Sequence, residues 1–156
     1  MGRNSNKNLV LAYIAGFLDG DGAISALIEK HSEKKYGFRV RVSLDFYQHE
    51  SNVEVLNYIR DFFGEGSLRK SINRTQKLSI RNQETLKRIL PGLYKFSVIK
   101  KKQIAMAIKI LNSVTKSRKG LISLAQRADS LAALNIRSKG IRKNTANMII
   151  NFPVET

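Results

Sequence analysis

The sequence has no cysteine, and only 2 of its 156 residues are proline. Without cysteine the chain has neither a disulfide scaffold nor thiolate ligands for a metal ion. Two prolines are too few for a disordered chain, and a hydrophobic content of 42% is enough for a core. No uninterrupted apolar run could span a membrane, and no secretory signal precedes the first apolar segment. We therefore expect one soluble, intracellular domain that covers residues 1–156.

Acidic residues are also scarce. The chain has 12 of them against 28 lysines and arginines, which gives a formal net charge of +16. Residues 1–84 hold 13 basic and 10 acidic residues, whereas residues 85–156 hold 15 basic and 2 acidic residues. Such a charge attracts polyanions, and nucleic acid is the usual one. A membrane surface is the competing interpretation, but the basic residues are spread over several elements rather than along one amphipathic helix. We expect no membrane partner.

The first part of the chain predicts a helix and then a pair of strands. Asn4 to Asn8 offer several N-caps, and "LVLAYIAGFLD" stays apolar until Gly20 and Gly22 end the helix. The segments "AISALIEK" and "YGFRVRVSLDFYQ" then alternate between apolar and polar residues, as half-buried strands do. The side chains predicted to face the core are Ile24, Ala26, Ile28, Tyr36, Phe38, Val40, Val42, Leu44 and Phe46.

The same order of elements then repeats. Ser51 and Glu54 fit a capping box for a second helix that Gly64 closes. A second strand pair, "GSLRKSI" and "KLSIR", is predicted to turn four apolar residues inward, namely Leu68, Ile72, Leu78 and Ile80. Asn82 is predicted to cap a short helix that ends at the Pro91-Gly92 pair. Further helical patterns cover about 100–114, 121–134 and 145–150.

The order αββαββα predicts an α+β domain whose four-stranded antiparallel sheet has one face on the helices. The core covers about residues 8–114, and helices are appended over about 115–156. The other face of the sheet is either solvated, as most such faces are, or reads base edges, because a β-ribbon fits the major groove. The candidate DNA-binding residues, with two lysines from the basic C-terminal part, are Ser25, Leu27, Glu29, Arg39, Arg41, Ser43, Arg69, Ser71, Lys77, Ser79, Arg81, Lys139 and Lys143.

Asp19 and Asp21 end the most hydrophobic helix of this basic protein. A carboxylate in apolar surroundings is costly unless it is paired, hydrogen-bonded or bound to a cation, and a helix C-terminus is the negative end of the dipole. For Asp19 we favour a local polar contact. Asp21 lies between Gly20 and Gly22, which leave a carboxylate and a carbonyl oxygen side by side, and such hard oxygen ligands suit Mg²⁺.

One carboxylate is too few for a two-metal phosphodiesterase site. Ala12, Gly16 and Gly20 recur at every fourth position, so two copies of the helix can approach closely along this stripe. In a twofold symmetric dimer the two Asp21 carboxylates converge at the dyad. The pattern therefore predicts a metal site that two protomers share.

The segment "YIAGFLDGDG" resembles the LAGLIDADG motif of homing endonucleases, and its single copy resembles the homodimeric, single-motif group of that family. The likeness extends to the αββαββα order, to "KKKQIAMAIKIL" and to "LAALN" near the end. It implies a saddle-shaped homodimer that hydrolyses both strands of a long, nearly palindromic DNA target of about 20 base pairs to start intron mobility. It also implies Mg²⁺ as the cofactor, with Mn²⁺ or Ca²⁺ able to occupy the site, no small-molecule cofactor, and a location in a chloroplast or mitochondrion.

The resemblance assigns roles to individual residues. Asp21 falls on the essential metal-binding acid and Gly20 on the residue that offers its carbonyl. Gln48 falls on the glutamine that positions solvent near the scissile phosphate. Lys100 falls on a lysine that stabilises charge or orients water. Because Lys100 is the first of three successive lysines, the alternative is that it only contacts a DNA phosphate. The family often has a basic residue where this chain has Asn52.

The lost positive charge puts turnover in question, and His49 is a candidate substitute. No chemistry is assigned to His31. The alternatives to an active endonuclease are an intron-splicing maturase that binds RNA and a DNA-binding protein that no longer cleaves. The sequence offers no aromatic stacking pair for RNA, and the intact Asp21 argues for cleavage.

Overall fold

The computed structural model describes residues 2–135 and 142–153. Its helices and strands are α1 (Gly2–Asp21), β1 (Gly22–Lys30), β2 (Phe38–His49), α2 (Glu54–Phe63), β3 (Ser67–Lys70), β4 (Thr75–Ile80), α3 (Gln83–Phe96), α4 (Lys101–Leu111), α5 (Arg118–Leu134) and α6 (Ala146–Ile150). Within these residues no helix is long and apolar enough to cross a bilayer.

The four strands form one antiparallel sheet in the order β1-β2-β4-β3. The predicted α+β class, with a four-stranded antiparallel sheet and helices after the core, is confirmed. The apolar side chains of the strands pack against the helices, and Ile24, Leu44 and Leu78 are completely buried. Because side chains alternate along a strand, their neighbours point to the opposite, outer face of the sheet. The residues that point to the outer face are therefore the ones that can contact a ligand bound to the sheet.

α1 passes directly into β1 without a loop. Gly22 makes this possible, because a Cβ atom there would lie 2.5 Å from Cδ1 of Leu18 and 3.0 Å from the Leu18 backbone. A larger residue would therefore push the strand away from the helix. Since Asp21 is the last helical residue and Gly22 the first of the strand, the buried helix and the buried strand fix the position of Asp21 from both sides.

Three helix ends differ from the sequence prediction. α1 begins at Gly2, so residues 4–8 lie inside the helix instead of capping it. α2 begins at Glu54 after a short 3₁₀ turn (Glu50–Asn52) that contains Ser51, so the predicted capping box is absent. Asn82 caps α3 as predicted, but the helix runs past Pro91 to Phe96.

Tertiary packing explains the longer α3. Pro91 is exposed and cannot donate a backbone hydrogen bond, whereas Leu90 and Leu93 are completely buried. The packing of these leucines in the core keeps the helix continuous through the proline. Gly92 lies against α1, because a Cβ atom there would approach Cδ1 of Leu11 to 3.1 Å. The glycine thus serves close packing of α1 and α3 rather than the end of a helix.

The second strand pair is shorter than predicted on one side. β3 ends at Lys70, and Ile72, which was expected to face the core, is 78% exposed. Ser71 follows β3 and lies in the turn, where its amide donates to the Thr75 carbonyl at 2.7 Å, so it is not part of the strand as predicted. Asn73 and Arg74 have φ values of 53° and 56°, a left-handed pair that reverses the chain early.

The two edges of the sheet are protected in different ways. The β3 edge is short and carries Arg69 and Lys70, features that discourage pairing with another strand. On the β1 edge, side chains from the C-terminal part bind the outward carbonyls. Asn135 donates to Ile24 at 2.7 Å, Arg142 to Ala26 at 2.6 Å and Asn144 to Ile28 at 2.7 Å. Lys139, predicted to contact DNA, lies outside the described residues.

Candidate nucleic-acid interface

The end of α1 presents two oxygen ligands to solvent. Asp21 and Gly20 are both exposed, and they belong to the last turn of the helix, whose carbonyls have no partner within the helix. A carboxylate beside a free carbonyl is a donor set that suits a hard divalent cation such as Mg²⁺. Among the described residues, no group of three or more His, Cys, Asp or Glu side chains could hold a metal ion.

Asp19 has a different environment from Asp21. Its carboxylate accepts hydrogen bonds from the Ser97 hydroxyl at 2.5 Å and from the amide of Val98 at 2.7 Å. It also accepts from the amides of Ile99 and Lys100, each at 3.1 Å. Asp19 therefore holds residues 97–100, the segment between α3 and α4, against the end of α1. The prediction of a polar contact for Asp19 is confirmed, but its partners lie 78 to 81 residues later in the chain rather than in the neighbouring sequence.

These hydrogen bonds determine the protonation state of Asp19. Burial alone would raise the pKa of its carboxyl, but the hydroxyl of Ser97 and the three amides bind the ionised form, and the net result is a lowered pKa. Asp19 is therefore a carboxylate at neutral pH.

Lys100 is brought to the same place. Its Nζ donates to the backbone carbonyl of Asp19 at 2.9 Å, one residue before Gly20. The segment that Asp19 holds is exposed at Val98 and Ile99, whereas Ser97 is buried. The structure thus joins two motifs that are 81 residues apart in the sequence, the acid-bearing helix end and the first of three successive lysines.

Gln48 lies on the part of β2 that extends beyond β1. The register pairs Gly22 with Phe46, so Gln48 pairs only with Gln76 of β4. Its Oε1 accepts the amide of His49 at 2.8 Å, which leaves the side-chain NH₂ as a donor. By strand alternation Gln48 points away from the outer face that carries Arg39 and Arg41.

His49 lies beside the position of the missing basic residue. Nδ1 of His49 accepts the Ser51 amide at 3.2 Å and lies 2.8 Å from the Ser51 hydroxyl, in a short 3₁₀ turn that also contains the exposed Asn52. Because Nδ1 accepts this amide, the ring proton is on Nε2 in the neutral form. His31, in the first hairpin, has a buried Nδ1 without a hydrogen-bond partner among the described residues.

The strand register assembles the polar residues of the outer face. Ser25 pairs with Ser43, Leu27 with Arg41, and Glu29 with Arg39 across β1 and β2. Arg69 pairs with Lys77 across β3 and β4. Arg81 follows β4 and donates from Nη2 to Glu29, and Lys143 is exposed near Leu27 and Glu29. Apart from Ser71 and Lys139, the predicted candidates therefore share one surface or its rim.

Strand alternation places Asp45 on the outer sheet face, yet it is only 8% exposed. Its Oδ1 accepts the hydroxyl of Ser79 at 2.5 Å and of Ser43 at 3.2 Å, and its Oδ2 lies 3.9 Å from Nζ of Lys77. Lys77 also lies 5.9 Å from the centre of the Tyr47 ring. Asp45 and Tyr47 were not among the candidate DNA-binding residues, although strand alternation places both on this face.

Gly16 and Gly20 of the small-residue stripe on α1 have no close neighbour among the residues that the structure describes. A Cβ atom on Gly16 or Gly20 would meet no atom within 4 Å, in contrast to the tight contact at Gly22. Leu9 and Tyr13, on the same exposed side of α1, are 68% and 54% exposed. The protomer therefore gives no internal reason for glycine at these two positions.

The motif and the fold together define a class of DNA-cleaving proteins. The model of the LAGLIDADG endonuclease family matches residues 14–111, and the chain belongs to this family. It is similar to DNA endonuclease I-CvuI of Chlorella vulgaris, with 28% identity over 84% of this chain and 83% of the relative. It is also similar to DNA endonuclease I-CreI of Chlamydomonas reinhardtii, with 26% identity over 96% of this chain and 91% of the relative.

Solved structures resemble the fold over nearly its full length. The crystal structure of I-CvuI in complex with its target in the presence of Ca superimposes with a TM-score of 0.85 at 26% identity, over 94% of this chain and 93% of that one. The archaeal intron-encoded homing endonuclease I-Vdi141I complexed with DNA gives a TM-score of 0.77 at 25% identity, over 92% and 94% of the two chains.

Proposed function

We propose that this protein is a Mg²⁺-dependent homing endonuclease that acts as a homodimer, cleaves both strands of a long pseudo-palindromic DNA target, and thereby starts intron mobility, in a chloroplast or mitochondrion. The observation that carries the proposal is the position of Asp21. It is an exposed carboxylate at the end of a helix whose small-residue stripe is open to a partner, and it follows by two residues Asp19, whose carbonyl accepts Nζ of Lys100.

The metal would be held by the Asp21 carboxylate and the Gly20 carbonyl, with phosphate oxygens and the second protomer completing the ligands. When bound, Mg²⁺ supplies charge neutralisation and Lewis-acid activation at the scissile phosphates. A bound cation would offset the charge of the Asp21 carboxylate, so Asp21 would need no partner within the chain. Asp19 fixes the helix end through residues 97–100, so that Asp21 keeps its place when DNA binds.

Gln48 and Lys100 act around this site. The amide NH₂ of Gln48 orients a water molecule for attack on phosphorus. Lys100 is fixed by its bond to the Asp19 carbonyl and supplies a positive charge that stabilises the charge that develops on the phosphate. Asn52 stands where the family often has a basic residue, and it carries no charge. His49 has its ring proton on Nε2, which can donate a hydrogen bond to a phosphate oxygen in place of that basic residue.

The outer face of the sheet would lie in the major groove, where arginine and lysine recognise guanine and polar side chains recognise other bases. Two such faces in a twofold dimer correspond to a target of about 20 base pairs. The DNA complexes of I-CvuI and I-Vdi141I support DNA as the partner. The I-CvuI complex in the presence of Ca, and a second I-CvuI complex with DNA in the presence of Mg in which the DNA is not cleaved, support binding of a divalent cation.

The test is selection of cleaved duplexes from a library of partly randomised, nearly palindromic DNA. The purified protein is incubated with the library in Mg²⁺, in Ca²⁺ and in EDTA. We expect cleaved products with one preferred sequence in Mg²⁺ and bound, uncut duplex in EDTA. Specific binding without cleavage in Mg²⁺ would identify a DNA-binding protein that has lost catalysis, and cleavage in EDTA would contradict the metal assignment.

A further inference from the structure

Glu29 is an acidic residue on the sheet face that is proposed to meet DNA. A carboxylate at such a place repels phosphates and lowers the affinity for every DNA sequence alike. The structure shows that this residue also makes favourable contacts within the protein. Glu29 is half-buried at the end of β1, and the residues opposite it and beside it on this face are arginines.

The carboxylate binds two arginines with its two oxygens. Oε2 accepts Nε of Arg39 at 2.9 Å, and Oε1 accepts Nη2 of Arg81 at 2.5 Å. Arg41 extends the group, since its Nη2 donates to the backbone carbonyl of Arg81 at 2.9 Å. One carboxylate on β1 therefore holds arginines from β2 and from the end of β4 in fixed positions.

The contacts leave most guanidinium donors for a ligand. Glu29 uses only Nε of Arg39 and one terminal nitrogen of Arg81, whereas two adjacent donors are needed to recognise the O6 and N7 atoms of guanine. A guanidinium that is already oriented loses less conformational freedom when it binds a base than a freely moving one. The surrounding arginines also favour the ionised form, so that the pKa of Glu29 is lowered despite its burial, and the charged contact persists at neutral pH.

We propose that Glu29 is a positioning residue for sequence specificity, which orients Arg39 and Arg81 toward particular base pairs and at the same time weakens binding to unrelated DNA. This proposal rests on the proposed function, because it requires that the outer sheet face bind DNA. The proposal concerns DNA recognition and not cleavage, because Glu29 lies near the C-terminal end of β1 and Asp21 precedes its N-terminal end.

The experiment compares Glu29→Gln with a charge-matched control. Glu33 lies in the hairpin between β1 and β2, is exposed, and makes no ion pair with any residue that the structure describes, so Glu33→Gln removes the same charge without freeing an arginine. Both variants and the wild-type protein are assayed in Ca²⁺ for binding to the selected target, to each single-base variant of it, and to random duplex. Thermal unfolding confirms that each variant is folded.

We expect Glu29→Gln to lose about fivefold to tenfold of its discrimination at one or two base pairs in each half-site. Its affinity for random duplex should rise about twofold or more, because one negative charge has been removed. Glu33→Gln should show only the second effect. As a further variant, Glu29→Asp keeps the charge but cannot reach both arginines, so it should relax the discrimination without strengthening random binding.

Two results would overturn the proposal. Identical base preferences for Glu29→Gln and Glu33→Gln would mean that Glu29 contributes charge alone. A switch to a new preferred base in Glu29→Gln, rather than a relaxed preference, would mean that the carboxylate contacts the base itself. If the wild-type protein had no preferred sequence at all, the proposed function would fail first, and Glu29→Gln would be indistinguishable from wild type in every base profile.

Discussion

Two aspartates separated by one residue have opposite surroundings. Asp19 accepts four hydrogen bonds from residues 97–100, whereas Asp21 is exposed at the helix end. A carboxylate with four donors is satisfied within the protein, and one in solvent beside a free carbonyl can bind a cation. The two residues are of the same type and only two positions apart in the sequence. Their different roles therefore depend on the groups that surround them in the folded protein.

The first prediction is that Asp21→Asn abolishes cleavage and preserves binding. The change keeps the size of the side chain but removes the charge that holds the cation. Affinity for the target should stay the same or rise in EDTA, because the two carboxylates at the centre of the proposed dimer would no longer repel phosphates. Gel-shift and cleavage assays on one duplex measure both. Asp19→Asn is the control, and it should lower the free energy of unfolding by about 1–3 kcal/mol with a smaller effect on cutting. Undiminished cleavage by Asp21→Asn would refute the ligand assignment.

The second prediction concerns the pH dependence contributed by Glu29. Its folded-state pKa is below the ordinary value of 4.5, so its contribution to stability is complete above that pH and is lost as the pH falls through the folded-state value. The difference in free energy of unfolding between wild type and Glu29→Gln should therefore be largest near neutral pH and shrink in acid. Urea unfolding at several pH values measures it. A difference that does not change with pH would show that Glu29 makes no net ionic contribution; Glu33→Gln is the control expected to give little effect throughout.

At the scale of elements, β1 depends on residues far away in the sequence. Its outward carbonyls are bound by Asn135, Arg142 and Asn144. Arg142 also donates to the carbonyls of Ala128 and Asn144, each at 2.8 Å, and its Nε lies 3.7 Å from Asp129. Asp129 in turn accepts the first amide of α6 at 2.8 Å, so Arg142 joins β1, α5 and α6.

The third prediction is that Arg142→Ala lowers the free energy of unfolding by about 2–4 kcal/mol, because it leaves three carbonyls without their donor. Arg142→Lys should recover little, since an ammonium cannot reach all three carbonyls in the fixed geometry of a guanidinium. Arg127→Ala is the control: Arg127 is exposed, makes one 3.2 Å contact with Ser113, and should change stability by less than about 0.5 kcal/mol. Denaturant unfolding provides the values, and equal effects of the two alanine variants would contradict the role given to Arg142.

The sequence predicted most elements but not the contacts between them. The alternation in β2 and the apolar run of α1 depend on local periodicity, and both elements are present in the structure. Pro91 misled the prediction because buried leucines on both sides hold α3 straight through it. The buried position of Asp45 could not be foreseen, because it depends on hydroxyls from β2 and β4 that meet only when the sheet forms. Asp21 was identified from its flanking glycines and the small-residue stripe, and Lys100 from the family resemblance, whereas the hydrogen bond that brings Lys100 to the end of α1 is a tertiary contact.

At the scale of the whole molecule, the basic charge is distributed unequally between the two sides of the sheet. On the sheet face, Glu29 and Asp45 pair with Arg39, Arg81 and Lys77. From residue 85 to 128, which includes α4 and most of α3 and α5, there is no acidic residue. The helical part of the chain therefore carries more of the unbalanced positive charge, and the sheet face has the ordered, partly neutralised charges that suit selective contacts.

The fourth prediction is that Gly16→Leu prevents dimerisation. A Cβ atom at position 16 would meet no atom of the described residues within 4 Å, so we expect the monomer to fold, but the leucine would separate two helices that cross along the stripe. Sedimentation should detect monomers at concentrations where the wild type dimerises, and cleavage should be lost. Leu9→Ala is the control, because it removes exposed apolar surface without adding bulk and should weaken the dimer less. An active dimer of Gly16→Leu would contradict a shared site.

The protected edge of β1 has a consequence for the synthesis of the chain. Ile24 is translated 111 residues before Asn135, and Ala26 is translated 116 residues before Arg142. Translation proceeds at about 5–20 residues per second, so the residues that donate to the outward carbonyls of β1 are synthesised roughly 5–20 seconds after the strand itself. Nascent chains on one messenger RNA therefore hold open strand edges close to one another during that interval. Strand addition between unfinished copies then competes with completion of the fold, until Asn144 reaches Ile28 and closes the edge.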